Sequence, residues 1–202
     1  MADYKGVIVG LGNPGLDYVN TRHNIGFDLI DYIVSIAKSR KSMHFEEKQE
    51  SGDYELYSVV IAKNRYLLLK PLTYMNLSGK AVAKVCGKHT VSPAEVIVAH
   101  DELDLSLGRM KLKKAGGNNG HRGLESIDQH LGTNAYYRLR IGIGRPEGFG
   151  DISKWVLGHF SEEEREVADK MVKASFKGVD TLARRGQGLA VQYINSFRGI
   201  EE

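Results

Sequence analysis

One histidine, His23, lies in a loop rich in glycine and asparagine near the start of the chain. Residues 10–27 read GLGNPGLDYVNTRHNIGF and follow the short apolar stretch 6–9. Histidine transfers protons near neutral pH, asparagine offers both a donor and an acceptor, and glycine lets the backbone approach a ligand closely. Open α/β proteins place their binding and catalytic groups in loops of this kind, directly after a strand. This loop is therefore the first candidate site.

Three further polar segments end predicted strands or form loops. They are 75–76 (Met-Asn), 100–102 (His-Asp-Glu) and the glycine-rich loop 116–121. Because the carboxyl ends of neighbouring strands meet at one crevice, we expect these segments to converge on His23. Asp101 could then accept from one imidazole nitrogen, which leaves the other nitrogen to take a proton from water. Asparagine amides could stabilise the oxyanion that develops on a carbonyl substrate.

Other catalytic patterns are absent from the sequence or match it poorly. There is no Gly-x-Ser-x-Gly elbow, no His-Glu-x-x-His and no Cys-x-x-Cys, so we predict neither a serine nucleophile nor a metal site. Residues 10–15 match the Gly-x-Gly-x-x-Gly pattern of dinucleotide-binding proteins. That alternative, an NAD-dependent oxidoreductase, needs a helix immediately after the loop and an acid ending a second strand. Here Asp28 and Asp31 fall inside the first predicted helix.

The composition indicates a globular protein of one domain. The chain has 202 residues, of which 42% are hydrophobic and 26% charged. The single cysteine, Cys86, excludes an intramolecular disulfide, fits a reducing compartment and is predicted to be a small core residue. No apolar signal segment and no stretch of membrane-spanning length is present, so we expect a cytoplasmic protein.

Positive charge is concentrated in one part of the chain, although the net charge is only +3. Between residues 109 and 145 there are eight lysines and arginines but only two acids. Such a block could bind phosphate groups. Its cations are Arg109, Lys111, Lys113, Lys114, Arg122, Arg138, Arg140 and Arg145.

Alternating strands and helices predict an α/β fold. Ser78 and Ser161 are predicted helix N-caps, the latter in a capping box with Glu164. Close strand pairs, including one joined by a turn at 62–65, favour a mixed sheet over a parallel one. We predict one domain over residues 1–202, with a twisted mixed sheet, helices on both faces and C-terminal helices from about residue 161. Strands are predicted at 5–11, 54–61, 66–70, 95–99, 109–113 and 138–143, and helices at 25–38, 78–89 and 121–131.

Six motifs, in order along nearly the whole chain, resemble those of bacterial peptidyl-tRNA hydrolases. They are 10–15 (GLGNPG), 21–24 (TRHN), 70–79 (KPLTYMNLSG), 100–104 (HDELD), the glycine loop 116–123 and 138–144 (RLRIGIG). The resemblance implies a monomeric α/β enzyme that needs no metal or organic cofactor. It implies hydrolysis of the ester that joins a peptide to the 3′ ribose of tRNA.

The resemblance also implies roles for particular residues. His23 corresponds to the catalytic base and Asp101 to the carboxylate that orients it. Asn13 and Asn76 correspond to residues that hold the substrate and the attacking water. The remaining correspondences are Tyr18 and Met75, which would line the same cleft, and Lys113 and Arg140, which would clamp the 5′ phosphate of the tRNA.

The glycine loop departs from the family pattern. The family reads Gly-Gly-x-Gly-Gly-His-Asn-Gly, whereas residues 116–123 read GGNNGHRG. Asn119 thus replaces a glycine, and Arg122 replaces an asparagine that helps to bind the peptide. We assign Asn119, His121 and Arg122 to substrate binding, with Arg122 donating to a peptide carbonyl or an RNA phosphate. Because of this departure and the basic block, a relative that binds RNA without hydrolysing the ester is the alternative hypothesis.

Overall fold

The computed structural model describes residues 4–48, 51–146, 148 and 150–199. Within these residues the chain forms a seven-stranded sheet and six α-helices. The strands are β1 (Gly6–Gly10), β2 (Glu46–Lys48), β3 (Tyr54–Ile61), β4 (Asn64–Pro71), β5 (Val96–Glu102), β6 (Met110–Lys114) and β7 (Tyr137–Gly142). The helices are α1 (Ile25–Ser39), α2 (Ser78–His89), α3 (Arg122–Leu131), α4 (Ile152–Val156), α5 (Glu162–Arg185) and α6 (Gln187–Ser196).

The sheet is mixed, with strand order β2-β3-β4-β1-β5-β7-β6. The four inner strands β4, β1, β5 and β7 run parallel to one another. At the edges, β2 and β3 form one antiparallel pair and β3 pairs antiparallel with β4, while β6 pairs antiparallel with β7. The parallel strands direct their carboxyl ends, and the loops that follow them, to one edge of the sheet.

Helices cover both faces of the sheet, which confirms the predicted α/β architecture. Alternate strand residues point to opposite faces, so the parallel strands are apolar throughout and contribute to two separate cores. One core buries Ile8 and Ile97 against α1, α5 and α6. The other buries Val7 and Val98 against α2 and α3, where Cys86 is buried as predicted.

Two glycines allow α1 to start against the strand ends. A Cβ on Gly10 would overlap the carbonyl oxygen of Gly26, and a Cβ on Gly26 would lie 2.5 Å from the carbonyl oxygen of Ala99. Neither position tolerates a side chain, because backbone atoms block it from the opposite element. The close crossing places the turn before α1, which carries His23, directly beside the end of β5.

Most predicted elements are present within two residues of their expected ends, and the differences are local. Ser161 caps α5 with Glu164 as predicted, but Leu77 rather than Ser78 is the N-cap of α2, so that prediction was wrong. The hairpin between β3 and β4 turns over residues 62 and 63 alone, with both residues in the left-handed region. Strand β2 and helix α4 were not predicted, since each is too short to show a period.

Among the described residues, none of the helices combines the length and the apolar character needed to cross a bilayer.

Candidate active site

A cleft of about 350 Å³ opens at the carboxyl edge of the sheet. It brings together the four polar segments, two of which follow β1 and β4, one of which ends β5 and one of which precedes α3. Helix α4 supplies a wall that the sequence did not predict. Its lining residues include Asn13, His23, Met75, Asn76, Asp101, Asp104, Asn119, His121, Arg122, Arg145, Ile152 and Leu157.

Two histidines share one carboxylate oxygen at the base of the cleft. His23 Nδ1 lies 2.8 Å from Asp101 Oδ1, and His121 Nε2 lies 3.0 Å from the same atom. An ionised carboxylate only accepts, so both of these ring nitrogens donate. In the neutral His23 ring the proton is therefore on Nδ1, and Nε2 carries a free lone pair. Asp101 thus selects the tautomer that a general base requires.

The protonation behaviour of this cluster follows from burial and charge. Burial lowers the pKa of His23, but the charge and hydrogen bond of Asp101 more than offset this, so its pKa lies above the ordinary value. Burial by itself would raise the pKa of Asp101, yet its contacts with His23 and His121 hold that pKa far below the usual range. Asp101 is therefore ionised throughout the physiological range, and His23 titrates above its ordinary value of 6.5.

His121 also caps helix α3. Its Nδ1 accepts from the backbone N–H of Gly123 at 3.2 Å and of Leu124 at 3.4 Å. Since Nδ1 accepts these bonds, Nε2 is the nitrogen through which His121 donates to Asp101. The sequence assigned His121 to substrate binding, and the structure places it on the Asp101 carboxylate as well as in the cleft wall.

Asn13 is held so that only its amide N–H groups remain for a ligand. Its Oδ1 accepts from the Met75 backbone N–H at 2.8 Å. Its backbone N–H and carbonyl bond to the side chain of Asn24, each at 2.9 Å. Within the described residues Asn13 Nδ2 donates to no other group, so it is free to bind a carbonyl oxygen in the cleft. The sequence analysis missed this supporting role of Asn24.

The other predicted substrate-binding residues also line the cleft, with one exception. Asn76 and Arg122 are exposed there, and Met75 is buried beneath them. Asn119 donates from Nδ2 to Asp104 Oδ2 at 3.3 Å. Arg145 also donates to Asp104, at 2.7 Å through its terminal NH2 group. Tyr18 is not among the lining residues, and its predicted place in the cleft is not observed.

Lys113 and Arg140 lie outside the main cleft. They line a separate cavity of about 70 Å³ beside it, and residues 116–119 of the glycine loop form part of its lining. The cleft and this cavity share Glu102, Asn118 and Asn119 as lining residues. Arg140 Nε donates to Glu102 Oε2 at 2.7 Å. Lys113 and Arg140, which are predicted to bind the phosphate, therefore lie next to the candidate catalytic groups. The residues that the cleft and the cavity share separate them from the cleft.

Helix α4 is anchored to the loop that carries His23. The guanidinium of Arg22 stacks 3.8 Å from the ring centroid of Trp155, and its terminal nitrogen donates to Glu164 at 2.7 Å. Trp155 Nε1 donates to the Gly144 carbonyl at 2.9 Å. The N-cap residue Asp151 was a sequence signal for this helix, since its carboxylate accepts from two backbone N–H groups of the first turn.

We predict that Trp155→Ala raises KM without a comparable loss of kcat. The substitution removes the cation–π contact with Arg22, which is worth about 0.5–2 kcal/mol, and loosens the wall that carries Ile152 and Leu157. KM should therefore rise by up to about 30-fold, measured by steady-state hydrolysis of the substrate that the sequence motifs imply. Trp155→Phe keeps an aromatic ring and is the matched control. An unchanged KM in the alanine variant would show that this anchor does not shape the cleft.

The side chains of His23, Asp101 and His121 also satisfy the spacing of a metal site. Ligand atoms of His23, Asp101 and His121 lie within 4.8 Å of one another. Both histidine nitrogens that face Asp101 are already accounted for as hydrogen-bond donors to it. A metal ion would have to displace both protons. The expectation of a metal-free site remains a prediction.

The fold and the cleft together define an α/β protein with a carboxylate-bound histidine and free amide groups at the carboxyl edge of a mixed sheet. The family profile of peptidyl-tRNA hydrolases matches residues 7–201. The peptidyl-tRNA hydrolase of Maridesulfovibrio salexigens is 55% identical over 195 residues, which cover 96% of this chain and 95% of the relative. The peptidyl-tRNA hydrolase of Aquifex aeolicus is 41% identical over 189 residues. The alignment covers 94% of this chain and 95% of that relative.

A solved structure agrees with these sequence relatives. The crystal structure of peptidyl-tRNA hydrolase from Acinetobacter baumannii superposes with a TM-score of 0.87 at 33% identity, covering 99% of this chain and 98% of that one. The chain belongs to the peptidyl-tRNA hydrolase family. It is a hydrolase that acts on ester bonds, as the sequence motifs predicted.

Proposed function

We propose that His23 is the general base of a reaction that releases the peptide from peptidyl-tRNA by hydrolysing its ester to the 3′ ribose. The observation that supports this most directly is the 2.8 Å hydrogen bond from His23 Nδ1 to Asp101, because it leaves Nε2 free to take a proton from water. An ester has a better leaving group than an amide, so a base and oriented dipoles suffice without a covalent nucleophile.

The steps follow from the positions of these groups. His23 Nε2 takes a proton from a water molecule as its oxygen attacks the ester carbonyl, and the carbonyl becomes an oxyanion. Asn13 Nδ2 and the amide of Asn76 donate to the carbonyl oxygen or hold the water. The ester C–O bond then breaks, and the protonated His23 returns its proton to the 3′ oxygen of the ribose. Asp101 remains ionised and stabilises the imidazolium that forms in between.

We further propose that the enzyme acts as a cytoplasmic monomer without a metal or an organic cofactor. The base, its orienting carboxylate and the oxyanion donors all come from this chain's own side chains. Full activity after exhaustive treatment with a chelator would support the metal-free mechanism. Loss of activity that only a divalent cation restores would assign the His23, Asp101 and His121 cluster to a metal instead.

The test of the proposed function is release of peptide from a defined N-blocked aminoacyl-tRNA. The expected result is many turnovers per enzyme molecule, with free tRNA and free blocked amino acid as products. The alternative, an RNA-binding relative without activity, predicts retention of the labelled tRNA on the protein with no released product. A parallel assay with an unblocked aminoacyl-tRNA shows whether the cleft requires an acylated amine.

Arg122 provides a prediction about RNA binding. It is exposed at the mouth of the cleft, and its guanidinium has no hydrogen-bond or ion-pair partner among the described residues. If it contacts an RNA phosphate, Arg122→Asn raises KM and reduces the slope of log KM against log salt by about 0.7–0.9, the value of one phosphate contact. The measurement is KM at several salt concentrations. A fall in kcat with an unchanged salt slope would instead place Arg122 on the peptide.

A further inference from the structure

A basic groove lies at the edge of the sheet opposite the candidate active site. It has a volume of about 930 Å³ and lies between the end of α1, the turn of the β3–β4 hairpin and the outer face of α5. Arg65, at the start of β4, lines this groove, whereas Met75, beyond the end of β4, lines the cleft. The eight residues of β4 span about 25 Å, so the groove and the cleft are separate sites.

Cations dominate the lining of the basic groove. Six of its sixteen lining residues are lysine or arginine, and only Asp180 is acidic. The whole chain has a net charge of +3, so positive charge is concentrated at this groove. A concave surface with one sign of charge attracts ligands of the opposite sign. The six cations, all exposed, are Arg40, Lys63, Arg65, Lys173, Lys177 and Arg184.

Most of these cations have no partner in the part of the chain that the structure describes. Arg184 donates to Asp180 at 2.7 Å, which neutralises the acid of the groove. Lys177 Nζ lies 5.0 Å from the centre of the Tyr193 ring. The other four side chains form no hydrogen bond or ion pair with described residues, and they are Arg40, Lys63, Arg65 and Lys173. A bound anion would relieve the repulsion among these like charges.

The cations extend further than a small ligand does. Lys173, Lys177 and Arg184 lie at helical spacing on one face of α5, and the stretch from residue 173 to residue 184 is about 17 Å long. The groove continues into a second depression of about 550 Å³, which shares Lys177 and Arg184 with it and adds Arg185. A nucleic acid duplex carries one negative charge per about 1.7 Å of its axis, so a surface of this length faces several phosphates.

The floor of the basic groove favours nucleic acid over a protein partner. Met43 and Ile61 lie in the groove but are only 7% and 2% exposed. Tyr32 and Phe176 pack edge to face against each other, with ring centroids 6.2 Å apart. Within the described residues, none of the exposed large hydrophobic side chains lines this groove. Protein interfaces depend on such apolar or aromatic anchors, whereas a phosphate backbone needs exposed lysine and arginine.

We propose that the basic groove binds the phosphate backbone of a double-helical RNA, separate from the RNA whose 3′ end enters the cleft. Lys173 and Lys177 hold the backbone from one wall, and Arg40 and Arg65 hold it from the other with guanidinium groups that match phosphate oxygens. The family acts on an RNA conjugate, so RNA is the polyanion that this protein encounters. The inference goes beyond the proposed function and does not depend on it.

The positions of the two sites argue for a second RNA. They lie about 25 Å apart at opposite edges of the sheet. A double helix is stiff over a much greater length than this, so a stem that leaves the cleft does not fold back to the groove. The protein is therefore able to stay on one structured RNA while its cleft remains open to another.

The experiment measures binding of a fluorescein-labelled RNA duplex of about 16 base pairs, without an acylated end, by fluorescence anisotropy at several salt concentrations. For the wild type we expect a Kd of about 10⁻⁶–10⁻⁴ M near physiological salt. The double variant Arg65→Gln with Lys173→Gln removes one cation from each wall. It should reduce the slope of log Kd against log salt by about 1.8, the value of two phosphate contacts, and weaken binding about 60-fold at about 0.1 M salt.

The matched control is Lys80→Gln with Lys84→Gln. Both lysines are exposed on α2, which covers the opposite face of the sheet, and their removal changes the net charge by the same amount. This control should keep the wild-type slope. An equal loss in the two double variants would show that the duplex responds to net charge alone and would overturn the proposal. So would a wild type that binds no duplex at about 50 mM salt.

Two further measurements separate this RNA from other occupants. Arg65→Gln with Lys173→Gln should hydrolyse the N-blocked aminoacyl-tRNA with the wild-type kcat and KM, and a raised KM would assign the groove to the substrate's own stem instead. A labelled polyglutamate peptide should bind at least about tenfold more weakly than the duplex, a difference of about 1.4 kcal/mol. Equally tight binding, lost in the same variant, would assign the groove to an acidic protein.

A second pair of substitutions keeps the proposal testable if the first variant does not fold. Arg40→Gln with Lys63→Asn removes two other cations of the groove, and the left-handed backbone of Lys63 suits asparagine. The same loss of slope is expected, and an unchanged slope in this folded variant would contradict the proposal. If the wild type hydrolyses no substrate, the proposed function fails, whereas the duplex titrations still decide whether the groove binds RNA.

Discussion

His23→Ala should lower kcat for peptide release by about 10²–10⁴-fold, the usual contribution of a general base. The reason is that the hydrogen bond from Nδ1 to Asp101 leaves Nε2 of this ring with a free lone pair in the cleft. Binding of the tRNA should persist, because the cations near Lys113 are untouched. The measurement is single-turnover hydrolysis at saturating enzyme, together with tRNA binding by filter retention.

His44→Asn is the matched control for this variant. His44 is exposed after the end of α1, remote from the cleft, and its left-handed backbone conformation suits asparagine. This variant should hydrolyse the substrate at the wild-type rate. If His23→Ala retained more than about a tenth of the activity, the assignment of His23 as the base would be wrong. Recovery of the His23→Ala rate by added imidazole would support the assignment.

Asp101→Asn should also cost about 10²–10⁴-fold in kcat, although it changes no more than one polar atom. The amide can present an N–H to His23 Nδ1, which favours the wrong tautomer and leaves Nε2 protonated. It also removes the charge that stabilises the imidazolium in the transition state. The matched control is Asp180→Asn, an acid on α5 whose side chain bonds only to Arg184 among the described residues.

The pH dependence of the same variant has a definite direction. Because His23 acts in its neutral form, kcat/KM of the wild type falls as the pH drops through its pKa, which Asp101 raises above 6.5. Burial alone lowers that pKa, so in Asp101→Asn it should fall below 6.5. The acid limb of the pH profile then shifts to lower pH while the plateau rate falls. A limb that stays in place would show that a different group titrates.

Much of the fold followed from local sequence patterns. Patterns that depend on residues close together in the sequence predicted their elements correctly. They are the apolar stretch 6–9, the amphipathic segment 25–38 and the capping box at Ser161. Strand β2 and helix α4 could not be predicted in this way, because each spans less than two periods of its pattern. Helix α4 depends on the stacking of Trp155 against Arg22, two residues far apart in the sequence.

The sequence by itself determined the fold class, the family and the four polar segments of the candidate site, because residue types and their spacing along the chain carry that information. Only the tertiary structure decided how these segments share their hydrogen bonds. It placed His121 on the same oxygen as His23, left the Asn13 amide free, and buried Arg138 behind the glycine loop. The reason is physical. The hydrogen bonds that the Asp101 carboxylate accepts, and the burial of the Arg138 charge, depend on groups from β1, β5, β7 and α3. These groups come into contact only when the four elements pack together.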